Sequence, residues 1–144
     1  MKKGISILVL ILVLISGSNL KSQTIEETCG IIQSEIVDNQ YHSFTLSGSG
    51  YLSYVWTDQK DSETTINIDL TQVTISKDIS NTGYKVWIKC IDQTNCIVEQ
   101  GRVGSNEYYY SEYSKTYLPA KSVEGMEAIY LQLEYLLKLS NGIR

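Results

Sequence analysis

The chain carries one histidine, His42, one proline, Pro119, and no cluster of basic residues, although Lys and Arg together number 12. With a single proline there is no hinge segment, and 144 residues suit one domain with one core. With a single histidine, any Ser–His or Cys–His nucleophilic site would have to use His42. That residue stands between Tyr41 and Ser43 in strand-forming sequence, and no nucleophile motif accompanies it, so it reads as an ordinary surface or partly buried side chain. Neither a dinucleotide-binding glycine fingerprint nor a phosphate-binding P-loop occurs, so a nucleotide has nothing to hold it. EF-hand spacing is missing as well, and Asp58, Asp61 and Glu63 read as a solvated turn. No metal and no cofactor are expected.

Positive charge is scarce where nucleic acid would require it. Sixteen acidic residues face twelve basic ones, for a formal net charge of −4. An acidic chain without a basic cluster has no counterion-release footprint, which argues against nucleic acid or an anionic membrane as the main partner. The basic residues that do group together open the chain: Lys2 and Lys3 precede the apolar stretch Ile5 to Ile15, after which Ser16, Gly17, Ser18 and Asn19 are small or polar. This is the order of a signal peptide. An apolar run of eleven residues is short of the roughly 20 that a spanning helix needs, so no stable membrane anchor is expected after cleavage. The expectation is a signal peptide over 1–22 and a single domain over 23–144, cleavage after Ser18 or Ser22 leaving Asn19 or Gln23 first. Removing Lys2, Lys3 and Lys21 leaves nine basic against sixteen acidic residues, a net charge of −7. Cys29 is the first cysteine, too far along to close a lipoprotein signal. A periplasmic or secreted location follows.

Three cysteines are present. Cys90 and Cys96 flank a short segment at a strand end, and in an exported chain they are expected to pair. Such a loop is stabilised by about 2 kcal/mol in the chain-entropy model. The spacing is not that of a thioredoxin-like site and no histidine is near, so a redox or metal role is the lesser alternative. Cys29 lies on an apolar stripe with Ile25, Ile32 and Ile36, the signature of an amphipathic helix near the N-terminus interrupted only by Gly30.

From Tyr41 the pattern changes to short runs that alternate or favour strands: Tyr41 to Leu46, Tyr51 to Trp56, Ile66 to Leu70, Val73 to Ile75, Tyr84 to Cys90, Cys96 to Gln100 and Glu107 to Tyr117. Ser47 to Gly50 and Ser80 to Gly83 separate them as turns, and Gly101 to Asn106 reads as a loop. Pro119 ends the last run. Beyond it Val123, Met126, Ile129, Tyr130, Leu133, Leu136 and Leu137 form a helical stripe with Ser122 as N-cap and Gly142 near the end. The fold class is therefore α+β: an antiparallel sheet or partly open barrel of about seven short strands, a C-terminal amphipathic helix and a short N-terminal helix.

The strand count followed by one closing helix resembles a pleckstrin-homology-type barrel. The run IDLTQVTISKDISNTGYKVWIKCIDQTNCI with the helix MEAIYLQLEYLLKL resembles small uncharacterised exported proteins of Bacteroidetes. This resemblance spans roughly residues 41–140 and implies a fold, not an activity.

Tyrosine is the composition's excess: eleven in the chain, five of them between Tyr108 and Tyr117. In a half-exposed strand at least one of Tyr108, Tyr109 and Tyr110 must face outward. Exposed tyrosines offer large contact area at low entropic cost. Tyr108, Tyr109, Tyr110 and Tyr113 are thus the candidate binding residues, and the expected function is a non-catalytic binding or accessory domain for a protein or glycan. The alternative reading is tyrosines packed within the sheet. From a different class, the competing function is a small hydrolase using the loop carboxylates Asp58, Asp61 and Glu63.

Overall fold

The computed structural model describes residues 23–103 and 107–142; the expected signal peptide, 1–22, lies outside the described residues. Helix α1 (Ile25–Glu35) starts at Thr24, whose hydroxyl accepts the Glu27 backbone N–H at 3.1 Å while the Glu27 carboxylate accepts the Thr24 N–H at 2.8 Å. This reciprocal cap satisfies two donors that a helix start otherwise leaves unpaired. Cys29 and Ile32 are buried, and so is Ile36 just past the helix end. Gly30 interrupts nothing: it is exposed, and a Cβ there would meet no atom within 4 Å. Replacing Gly30 with Ala is expected to stabilise the protein by about 1 kcal/mol, seen as a higher urea midpoint at unchanged slope. A lower midpoint would contradict the solvent-facing placement.

Eight strands follow: β1 (Tyr41–Leu46), β2 (Tyr51–Thr57), β3 (Glu63–Asp69), β4 (Val73–Ser80), β5 (Gly83–Cys90), β6 (Ile97–Val103), β7 (Glu107–Tyr113) and β8 (Lys115–Ala120), with α2 (Val123–Gly142) closing the chain. They form two antiparallel sheets, ordered β1-β2-β3-β6-β7 and β4-β5-β8, and the sheets do not close into a barrel.

The chain changes sheets at three points. Between β3 and β4 a 3-10 turn, Leu70–Gln72, buries Leu70, and the Asp69 carboxylate accepts the Thr71 N–H at 3.0 Å. Between β5 and β6 the crossing is Ile91–Gln93, closed by the Cys90–Cys96 disulfide with Cα atoms 5.7 Å apart, while Cys29 is free and buried. The third crossing is at Ser114, whose carbonyl accepts the Cys90 N–H at 2.8 Å. Here the expected single strand over Glu107–Tyr117 is two, β7 on one sheet and β8 on the other. Residue alternation cannot register such a transfer, because both halves are strand-forming. Pro119 lies inside β8 instead of ending the pattern. It is tolerated because β8 is last in its sheet, where a missing N–H removes no ladder bond. The segment from Gly101, expected as loop, is strand as far as Val103.

In β1 the register slips between His42 and Thr45, with Ser43 at φ 59. This bulge adds one residue, so His42 and Thr45 share the outer face while Phe44 turns inward onto Tyr54. The two rings stack with centroids 4.8 Å apart. At the other end Ser122 caps α2, its hydroxyl accepting the Gly125 N–H at 3.0 Å. Helix α2 buries Met126, Ile129, Leu133 and Leu136 and packs on β4, β5, β8 and α1. Lys77 reaches from β4 to Glu127 at 2.8 Å on the side of the smaller sheet that the helix covers.

Candidate functional site

Among the described residues no helix packs closely on β2, β3, β6 or β7, and the residues of the larger sheet's outer face are half-buried or exposed. The register runs one row across all five strands: His42, Val55, Thr65, Gln100 and Tyr110. All five are half-buried or exposed. Beside it Ser53 donates to the Asn67 side-chain oxygen at 2.6 Å. At strand spacings of about 4.8 Å the row extends roughly 19 Å across the sheet.

The tyrosines divide by strand period. Tyr108 and Tyr110 point outward, 74% and 61% exposed. Arg102, the cross-strand partner of Tyr108, holds its guanidinium 4.8 Å from that ring's centroid and donates to the Tyr108 hydroxyl. Tyr110 donates to Glu112 at 2.8 Å, and this hydrogen bond raises its pKa. Arg102 and Tyr108 also border an open cleft of about 580 Å³, with Glu63, Thr65 and Gln100 on its walls.

Tyr109 faces the other way and is half-buried. Its ring covers Gly101, where an added Cβ would sit 2.9 Å from the Tyr109 ring and 3.0 Å from the Glu63 carbonyl oxygen. Only glycine leaves that space, which explains the glycine within β6. The Tyr109 hydroxyl donates to Glu99 at 2.8 Å and accepts from the buried Thr64 hydroxyl at 2.7 Å. Desolvation raises its pKa; the Thr64 bond works against that rise, and Glu99 and Tyr113 add to it. Tyr113 shares the Tyr109 side by alternation, and at the end of β7 it is 43% exposed. The structure thus brings Tyr108 and Tyr110 together and separates them from Tyr109 and Tyr113.

His42 bonds Thr57 through Nε2 at 2.8 Å and Ser43 through Nδ1 at 2.9 Å. Of the loop carboxylates, Asp58 accepts the Lys60 and Ser62 N–H groups at 2.7 and 2.9 Å, so it holds its own turn. Asp61 and Glu63 open onto the cleft beside Arg102. Among the described residues no group of three His, Cys, Asp or Glu side chains could hold a metal ion, and no helix is long and apolar enough to cross a membrane. Arg102 and Gln100 escaped notice in the sequence. Their signal is the hairpin register, which places Arg102 opposite Tyr108 and Gln100 opposite Tyr110.

No protein-family model matches the chain, and comparison with curated proteins and with solved structures gives no match.

Proposed function

We propose that the protein is an exported, non-catalytic binding module acting in the periplasm or outside the cell, with the Tyr108–Tyr110 side of β7 as its contact surface for a protein or glycan. The observation that carries this reading is the projection of those two tyrosines, 74% and 61% exposed, from a strand at the edge of an uncovered sheet face. Aromatic side chains with a polar tip lose little freedom on binding and contribute large contact area. The free edge of β7 adds unpaired backbone donors and acceptors, which a partner strand or sugar hydroxyls can use. Export is supported by Lys2, Lys3 and the apolar stretch Ile5 to Ile15.

The test compares the mature protein with a Tyr108→Ser/Tyr110→Ser variant as baits in the native extracytoplasmic fraction. A partner held by the first and lost by the second, with melting temperatures within about 3 °C, is the expected result; surface substitutions move stability by no more than about 0.5 kcal/mol each. Retention of the same partner by the double variant would refute this surface.

A further inference from the structure

On the side of β4-β5-β8 turned away from α2, Trp87 and Tyr117 form a cross-strand pair, their ring centroids 5.1 Å apart and their planes at 60°. Lysines surround them: Lys85 and Lys89 flank Trp87 on β5, and Lys115 stands opposite Lys89 on β8. The Lys85 ammonium lies 4.6 Å from the Tyr117 ring centroid, and those of Lys89 and Lys115 each lie 5.9 Å from that of Trp87. The ion pair found among the described residues is Lys77–Glu127, on the helix-covered side, so no described carboxylate lies within 4.0 Å of these three lysines. The acid of this face is Asp78 on β4, which accepts the Trp87 indole N–H at 3.4 Å.

Three ammonium groups around two aromatic rings are the reverse of what a chain of net charge −4 shows elsewhere. The rings attract the cations through their negative faces, which holds like charges together without neutralising them. What remains is a shallow apolar platform rimmed by three ammonium groups and one carboxylate, Asp78, which stands opposite Lys85.

We infer that this face binds an anionic saccharide: the apolar C–H face of a sugar ring lies against Trp87 and Tyr117, and its carboxylate or sulfate groups pair with Lys85, Lys89 and Lys115. Lys85 and Lys89 are four residues apart on one strand, about 13 Å, so the rim matches a short stretch of an extended chain better than a single small anion. A long polynucleotide needs an extended basic track, which three lysines on a chain of net charge −4 do not supply. An acidic peptide would use the lysines and leave the ring platform idle. The inference concerns the smaller sheet and does not rest on the contact surface assigned to Tyr108 and Tyr110.

The experiment is titration calorimetry of the mature protein with oligogalacturonate and with dextran sulfate oligomers, the two arms separating carboxylate from sulfate. Neutral dextran, polyglutamate and oligothymidylate serve as comparators. At least one anionic saccharide is expected to bind, more weakly as salt rises because exposed charges are screened. Lys89→Gln/Lys115→Gln, a change of exposed side chains, is expected to weaken that binding about tenfold at an unchanged melting temperature. Trp87→Phe, which keeps a ring in place, is expected to weaken it less than Trp87→Ala. Failure of both anionic saccharides to bind, equal binding of any comparator, or binding indifferent to the lysine pair would each overturn the inference.

Discussion

Leu133→Ala is expected to destabilise the protein by about 2–5 kcal/mol, because it opens a cavity beneath the helix that seals the core. Leu133 is fully buried, midway along a stripe that also buries Ile129 and Leu136. The stripe packs on the three-stranded sheet, whose Val86, Ile88 and Leu118 are themselves fully buried. A domain of this size has only about 5–15 kcal/mol in total, so the loss is a large share of it. Two tyrosine variants calibrate the result. Tyr108→Ser should shift stability by no more than about 0.5 kcal/mol. Tyr109→Ser should cost about 1–3 kcal/mol, since it uncovers Gly101 and leaves the buried Thr64 hydroxyl without its acceptor. Urea melts of the three decide the matter: a Leu133→Ala midpoint equal to that of Tyr108→Ser would mean α2 does not close the core, and Tyr109→Ser matching Tyr108→Ser would remove the distinction drawn between the two faces of β7.

That distinction marks the limit of what was legible in the chain. Helix α2 could be read from its stripe alone, since Met126, Ile129, Leu133 and Leu136 repeat at helical spacing and all are buried. The Cys90–Cys96 pairing followed from proximity and spacing, and the structure has it. The tyrosine cluster was visible but its faces were not. Alternation shows that Tyr108 and Tyr110 share a side, yet which side is outer depends on the pairing of Tyr109 with Gly101, a contact across the hairpin. The Ser114 transfer was hidden for a similar reason: its hydrogen bond goes to Cys90, 24 residues earlier in the chain. Alternation along β5 puts Lys85, Trp87 and Lys89 on one side, and only the β5–β8 register adds Lys115 and Tyr117 to it. Local periodicity carries element type, whereas a surface built from two or three strands exists only once their partners are known.

Alkaline pH is expected to unfold the protein through Tyr54. Its side chain is 2% exposed, stacked on Phe44 and tilted against Tyr41 with centroids 5.9 Å apart. Thr116 of β8, a strand of the other sheet, lies beside its hydroxyl. Burial drives the phenol well above its ordinary value; the Thr116 hydroxyl pulls it down and nearby Tyr41 and Glu99 push it further up. An unfolded tyrosine ionises near pH 10. Below that both states keep the proton and stability is whole; above it the unfolded chain releases the proton while the folded one holds it. Stability is therefore lost as pH rises from about 10 toward the folded value, at about 1.4 kcal/mol per unit, or about 2 kcal/mol by pH 11.5. Tyr54→Phe removes this titration. The variant keeps the ring and its packing, so it should differ from the parent by no more than about 1 kcal/mol at pH 8 and should lose distinctly less on going to pH 11.5. Tyr41 and Tyr109, whose pKa values burial also raises, leave a residual slope in both proteins. Urea unfolding at several pH values, with tyrosinate absorbance followed beside ellipticity, separates the contributions. One buried tyrosine should ionise together with the loss of structure, and parallel stability curves for parent and variant above pH 10 would show that Tyr54 is not the group responsible.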